Sequence, residues 1–384
     1  MKKKERNSNF ELMRIISMFF IIVWHIYMYG GIRNNPRIMN PSINSMFQII
    51  IFLVIVHVNS LVLLSGYFQY NNKFKTSKLI SLINVSLFYR IIVTGLLLVF
   101  GLITLSKVEL LRFFSPLITS DNLEYWYIRI FILLYLFTPY LNILIKKITR
   151  QQHQRLLILS FVIFSIFPFI SANKLFENYG YTLCNFIFLY FIGSYLSKYQ
   201  IKEKIIRVIK PNTYRFVLLS LFFLLGIFNY CLYKTTKELM SYGSIFNEIF
   251  GNINSMHIAY SNPFVILQTI TYFLFFESLS INSKFINKVA GLTLGIYLIH
   301  NNKYLTLFLY KWLKIDNGIV TSYKFIFYVF GMVFVIFTGC AIIELVRQII
   351  FKFVYNRNLS KKFRDKFYGF INSFKTEEKE IKNE

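Results

Sequence analysis

Residues Ile15 to Tyr29 read IISMFFIIVWHIYMY, with no Asp, Glu, Lys or Arg among them. Together with Phe10, Leu12 and Met13 ahead of them, they reach the roughly 20 residues a helix needs to cross a bilayer. The chain opens on MKKKERNSN, a basic start that could belong to a signal peptide. No small-residue cleavage site follows the apolar run, so it reads as a retained first helix.

Working outward, the same pattern repeats. Apolar stretches near 10–30, 44–70, 79–105, 125–145, 156–173, 181–198, 214–233, 263–280, 289–312 and 323–350 predict an all-α, polytopic membrane protein of about ten transmembrane helices. Composition agrees: 55% of the 384 residues are hydrophobic and 16% charged, against about 25% charged in an ordinary soluble domain. Residues 1–350 form the expected transmembrane domain and 351–384 a cytoplasmic tail. In that tail Phe363, Phe367, Phe370, Ile371 and Phe374 recur at helical spacing among lysines and an arginine, a pattern suited to an anionic membrane surface.

The net charge is +26. In a soluble chain that would point to nucleic acid. Here the cations lie in short connections: alternate segments, starting from the N-terminus, hold about 29 Lys and Arg and the opposite set about 10. The positive-inside rule then puts both termini in the cytoplasm and argues against a nucleic-acid partner. Cys184, Cys231 and Cys340 fall in apolar runs with no paired spacing, so neither a disulfide framework nor a metal site is expected.

Chemistry in such a chain is sought where ionisable groups sit at membrane depth, since burying each costs at least ~2.5 kcal/mol at a helix centre. Arg14 and His25 are eleven residues apart, three full turns, on one stripe of the first helix about 16 Å in length. Glu11, three residues before Arg14, can pair with it. The bland alternative is a snorkelling arginine and a satisfied interior histidine. His300, followed by Asn301, Asn302 and Lys303, is too polar a cluster to face lipid, though an interhelical hydrogen bond would also explain it. Arg90 is about 16 Å deep in the third helix and needs an anionic partner. Trp126 and Arg129 open the fourth helix, where tryptophan is also a common interfacial anchor. Ser65-Gly66-Tyr67 reads most simply as close helix packing. His57 and His153 receive no role. There is no Walker A loop, HExxH helix or Gly-x-Ser-x-Gly elbow.

Glu11-Leu-Met-Arg14, ten residues and His25 resemble the opening of the membrane acyltransferase 3 family, whose first helix carries an Arg-x10-His motif. The likeness continues in Leu63-Leu64-Ser65-Gly66-Tyr67, in Trp126 with Tyr135 to Pro139, and in Gly295-Ile-Tyr-Leu-Ile-His300, in the family's order. Two departures stand out: Glu11 replaces the usual Asp, and the arginine cluster at the start of the third helix is reduced to Lys75, Lys78 and Arg90.

The resemblance implies transfer of an acyl group, usually acetyl, from cytoplasmic acyl-CoA to a sugar hydroxyl of an envelope polysaccharide or its lipid-linked precursor. His25, with Glu11, would be catalytic, as general base or transient acyl carrier. Arg14, Ser65, Arg90, Trp126, Arg129 and His300 would bind substrate. Partners would be acyl-CoA, the glycan and membrane lipids, with no bound cofactor. The Phe-, Ile-, Lys- and Asn-rich composition suits an AT-rich bacterial genome, and the expected location is the bacterial plasma membrane. A polysaccharide or lipid-linked oligosaccharide flippase is the rival, and it predicts two repeated halves with broken helices in matching places.

Overall fold

The computed structural model describes residues 7–30, 32–33, 41–106, 125–171, 179–312 and 324–356. Among the described residues all regular structure is helical. In chain order the helices are α1 (Ser8–Tyr29), α2 (Pro41–Val54), α3 (His57–Gln69), α4 (Thr76–Val99), α5 (Trp126–Lys147), α6 (Arg150–Ile170), α7 (Leu183–Lys198), α8 (Ile201–Ile206), α9 (Pro211–Met240), α10 (Ser244–Ser255), α11 (Pro263–Ser278), α12 (Lys284–Ala290), α13 (Thr293–His300), α14 (Lys303–Trp312) and α15 (Lys324–Asn356).

Seven of the ten expected spans are long, apolar helices: α1, α2 with α3, α4, α5, α6, α9 and α15. Two more, α7 and α11, are apolar but only 16 residues long. The expected span 289–312 is not one helix. It is divided among α12, α13 and α14, and α14 starts where the Asn302 side chain accepts from the amides of Tyr304 and Leu305 (3.2 Å each). The segment 234–262, between the expected spans 214–233 and 263–280, is mostly helical. α9 runs 30 residues, about 45 Å, and ends in the polar Lys234–Met240. The amphipathic α10 then packs back against it, its Asn254 amide bonded to the Tyr233 carbonyl and the Thr236 hydroxyl. The amphipathic pattern of the tail, from Phe363 to Phe374, lies outside the described residues.

The packing is inverted relative to a water-soluble protein. Val99, Phe216 and Phe327 are 81%, 71% and 79% exposed, while His25, His57, Gln268, Glu277, His300 and Glu344 are buried. Apolar rims and polar interiors fit a lipid solvent, and the chain is a multi-pass helical membrane protein. α3 and α7 cross with backbones nearly touching. A side-chain carbon on Gly66 would collide with the Tyr190 carbonyl, and one on Gly193 with the Leu63 carbonyl. Reciprocal glycines let two helices approach where no water drives them together.

Candidate active site

Helix α1 carries the site, and its first turn sets its height. Asn7 caps the helix by accepting from the Asn9 amide (3.1 Å). Asn9 then reaches across to the segment before α12: its amide group donates to the Leu279 carbonyl and its oxygen accepts from Ile281 N (2.7 Å). Ser8 Oγ accepts from Ser283 N (3.0 Å). From this clasp, sixteen residues lead to His25 and nineteen lead from Ile281 to His300. The two paths climb side by side, and they bring the two histidines to one level.

There His25 Nδ1 meets His300 Nε2 at 3.1 Å, and His300 Nδ1 meets the Ile296 carbonyl at 2.6 Å. A carbonyl only accepts, so His300 carries its proton on Nδ1. With both rings neutral, His300 Nε2 is the acceptor and His25 Nδ1–H the donor. The free lone pair is therefore on His25 Nε2. The helix ends at His300, whose own carbonyl accepts from Thr306 Oγ1 (3.0 Å).

His25 lines a cavity of about 350 Å³ that also touches Arg14. Its size is that of a small-ligand site. Arg14 Nη1 donates to both Glu11 oxygens, at 3.2 and 3.1 Å. Ala290, Gly291 and Thr293, at the junction of α12 and α13, border the cavity, and its far end is aromatic. There Trp126 packs on Tyr181 (4.3 Å between ring centres) and stacks on Tyr260 (5.7 Å). Tyr260 donates its hydroxyl to His57 Nε2 (3.1 Å), since His57 Nδ1–H is held by the Val54 carbonyl (2.6 Å).

The sequence-derived candidates divide. Arg14, His25 and Trp126 line the cavity, and His300 sits directly behind His25. Glu11 sits three residues before Arg14 and fourteen before His25, about 21 Å along the helix, so it positions Arg14 and touches nothing at the histidine. Ser65, Arg90 and Arg129 are not part of the cavity wall among the described residues. Ser65 Oγ donates back to Leu61 O of its own helix (3.1 Å), which matches the packing interpretation of its motif. Arg90 is buried in α4.

His57, Tyr181 and Tyr260 line the cavity without having been singled out. The signal for the first was available: His57, Asn59 and Ser60 interrupt the apolar run of the second span. Two buried carboxylates were also missed. Glu277 accepts from the Tyr67 hydroxyl (2.7 Å). Glu344 holds Arg347 through two bonds of 2.8 and 2.7 Å, accepts from Tyr89, and presses against Gly295 of α13.

Fold and site together define a multi-pass membrane protein in which a tautomer-locked imidazole faces an internal cavity with an arginine toward one end. Residues 7–345 match the acyltransferase 3 family, described as an acyltransferase domain, and the chain belongs to that family. Neither the curated proteins nor the solved structures give a match.

Proposed function

We propose that the protein is a membrane O-acyltransferase, moving an acetyl or other acyl group from cytoplasmic acyl-CoA to a hydroxyl of an envelope glycan or its lipid-linked precursor. The observation that carries this reading is the hydrogen-bonded row Ile296 carbonyl, His300, His25, ending on the cavity that Arg14 also lines. A hydroxyl attacks a thioester only as its proton leaves, and a neutral imidazole with a free lone pair takes it. In the proposed step His25 Nε2 removes that proton while the oxygen bonds to the thioester carbon. The carbon–sulfur bond then breaks, and the thiolate leaves with the proton that His25 returns.

Arg14 lies near the end of the bundle where Lys147, Lys198 and Lys284 also lie, the side assigned to the cytoplasm by the positive-inside rule. Its guanidinium is suited to a phosphate or pantetheine carbonyl of the donor. The rise of about 16 Å from Arg14 to His25 compares with an extended pantetheine arm, which would bring the thioester to the imidazole. Family membership favours this chemistry over a flippase.

The test is label transfer. Membranes holding matched amounts of wild type, His25→Ala or Arg14→Ala are incubated with radiolabelled acetyl-CoA and envelope glycan. Transfer by the wild type and its loss in the folded His25→Ala variant support the assignment. Equal transfer by His25→Ala removes the histidine from the mechanism.

A further inference from the structure

The cavity changes character along its length. Toward one end is Arg14, and among the described residues no Asp, Glu or Lys lines it anywhere. At the other end the wall is made of rings: Trp24, Trp126, Tyr181 and Tyr260 surround the two histidines His25 and His57. Trp126, Tyr181 and Tyr260 form one cluster with ring centres 4.3–5.7 Å apart.

We propose that this aromatic end is a stacking site for one uncharged sugar ring, so that the acceptor hydroxyl belongs to a neutral pyranose and not to a uronate, a phosphosugar or an amino sugar. The proposal rests on the acyltransferase reading above and names its acceptor class.

Three observations carry it. An anionic sugar would need a cation against it, and among the described residues the permanent cation on the wall is Arg14, a rise of about 16 Å along the helix axis from His25 and already bound to Glu11. A buried carboxylate without a partner is expelled. An ammonium sugar would gain from the ring faces, yet among the described residues it would find no carboxylate on the wall to neutralise it. His57 has both nitrogens committed, one to Val54 and one to Tyr260, and His25 offers a single lone pair. A neutral pyranose meets neither obstacle. Its C–H face lies on an indole or phenol ring, which is apolar in body and polar at the tip. One hydroxyl then turns to His25 Nε2. A volume of about 350 Å³ takes one such ring beside an acyl group, so a polymer would enter by a single residue.

The experiment uses the full chain in lipid nanodiscs. The chain has three tryptophans, and a Trp312→Phe background leaves only Trp24 and Trp126 to emit. Fluorescence is titrated with methyl glycosides of gluco, galacto and manno configuration, each as the neutral sugar, the uronate and the ammonium form. The expected result is saturable binding of at least one neutral glycoside, with its uronate and ammonium counterparts at least tenfold weaker. Tyr181→Ala should weaken that binding severalfold and Tyr181→Phe should restore it. A charged form binding as tightly as its neutral partner overturns the proposal. So does the absence of saturable binding by all nine, or a Tyr181→Ala variant that binds like its parent. Acyl transfer to envelope glycan on the same preparation separates the two levels. Transfer without neutral preference overturns only the stacking site, whereas no transfer overturns the acyltransferase reading with it.

Discussion

Asn9 in the first turn of α1 holds Ile281, ahead of α12, by accepting its backbone N–H at 2.7 Å. With the companion bond to Leu279, this clasp fixes the relative height of the two paths that carry His25 and His300. Asn9→Ala removes both bonds, each worth about 0.5–1.5 kcal/mol net. Catalysis should suffer more than stability, because a misplacement of about 1 Å at a reacting centre can cost 10²-fold. A kcat drop toward that size, with a thermal midpoint only slightly lowered, is the expected pattern. Unchanged kcat would show that the histidines do not depend on the clasp.

The two histidines should differ in their effects. His25→Ala removes the group with the free lone pair and should lower acyl transfer by about 10²–10⁴-fold. His300→Ala removes only the acceptor that orients His25 Nδ1–H, so a smaller loss is expected. Rates of the two purified variants, compared at equal folded protein, check the order. A larger loss at His300 would exchange the roles.

In the proposed reaction the Arg14–Glu11 pair faces the acyl donor, and its variants should then appear in KM. Arg14→Ala loses charge-assisted bonds worth about 1.5–3 kcal/mol, which raises the KM for acyl-CoA tenfold or more while kcat changes little. Glu11→Gln leaves the guanidinium charged and loosens only its position, so its KM should move less. Saturation curves against acyl-CoA make the comparison. A kcat effect in Glu11→Gln as large as that of His25→Ala would place Glu11 in the chemistry after all.

Glycine contacts predict stability without reference to the site. Gly66→Ala and Gly193→Ala each drive a methyl into the backbone of the facing helix, an overpacking that costs about 1–3 kcal/mol. Gly95, on α4, has nothing within 4 Å of the position its side chain would take. Gly95→Ala should be neutral or mildly stabilising, since alanine favours the helix. Thermal unfolding in detergent ranks the three.

Glu344 and Arg347 pair within the apolar span of α15. Removing one partner leaves a charge without compensation, so Glu344→Gln should cost about 3–5 kcal/mol. The double change Glu344→Met with Arg347→Met should recover most of that stability. A double variant as unstable as the single one would show that packing on Gly295, not charge, makes the pair necessary.

Most of the helical layout was legible because bilayer-length apolar runs carry their own signal, as from Ile15 to Tyr29. The Arg14–His25 stripe was legible because both residues lie on one helix, where spacing alone sets geometry. Across helices that logic ends. Nothing local links His25 to His300, or His57 to Tyr260, since those contacts depend on tertiary register set by groups such as Asn9. The break after His300 was hidden because hydropathy averages over Asn301 and Asn302, although the Asn302 side-chain oxygen decides where the helix restarts. Glu344 and Arg347 obey the same membrane-depth rule that flagged Arg14, and that rule would have found them in the last span.

The separation of 275 positions from His25 to His300 also sets a schedule. Translation at about 5–20 residues per second takes roughly 15–55 s to cover that distance. For all of that time α1 waits in the membrane while the ribosome makes its partner. The His25 imidazole therefore stays without its hydrogen-bond partner until the chain has been made and inserted past residue 300.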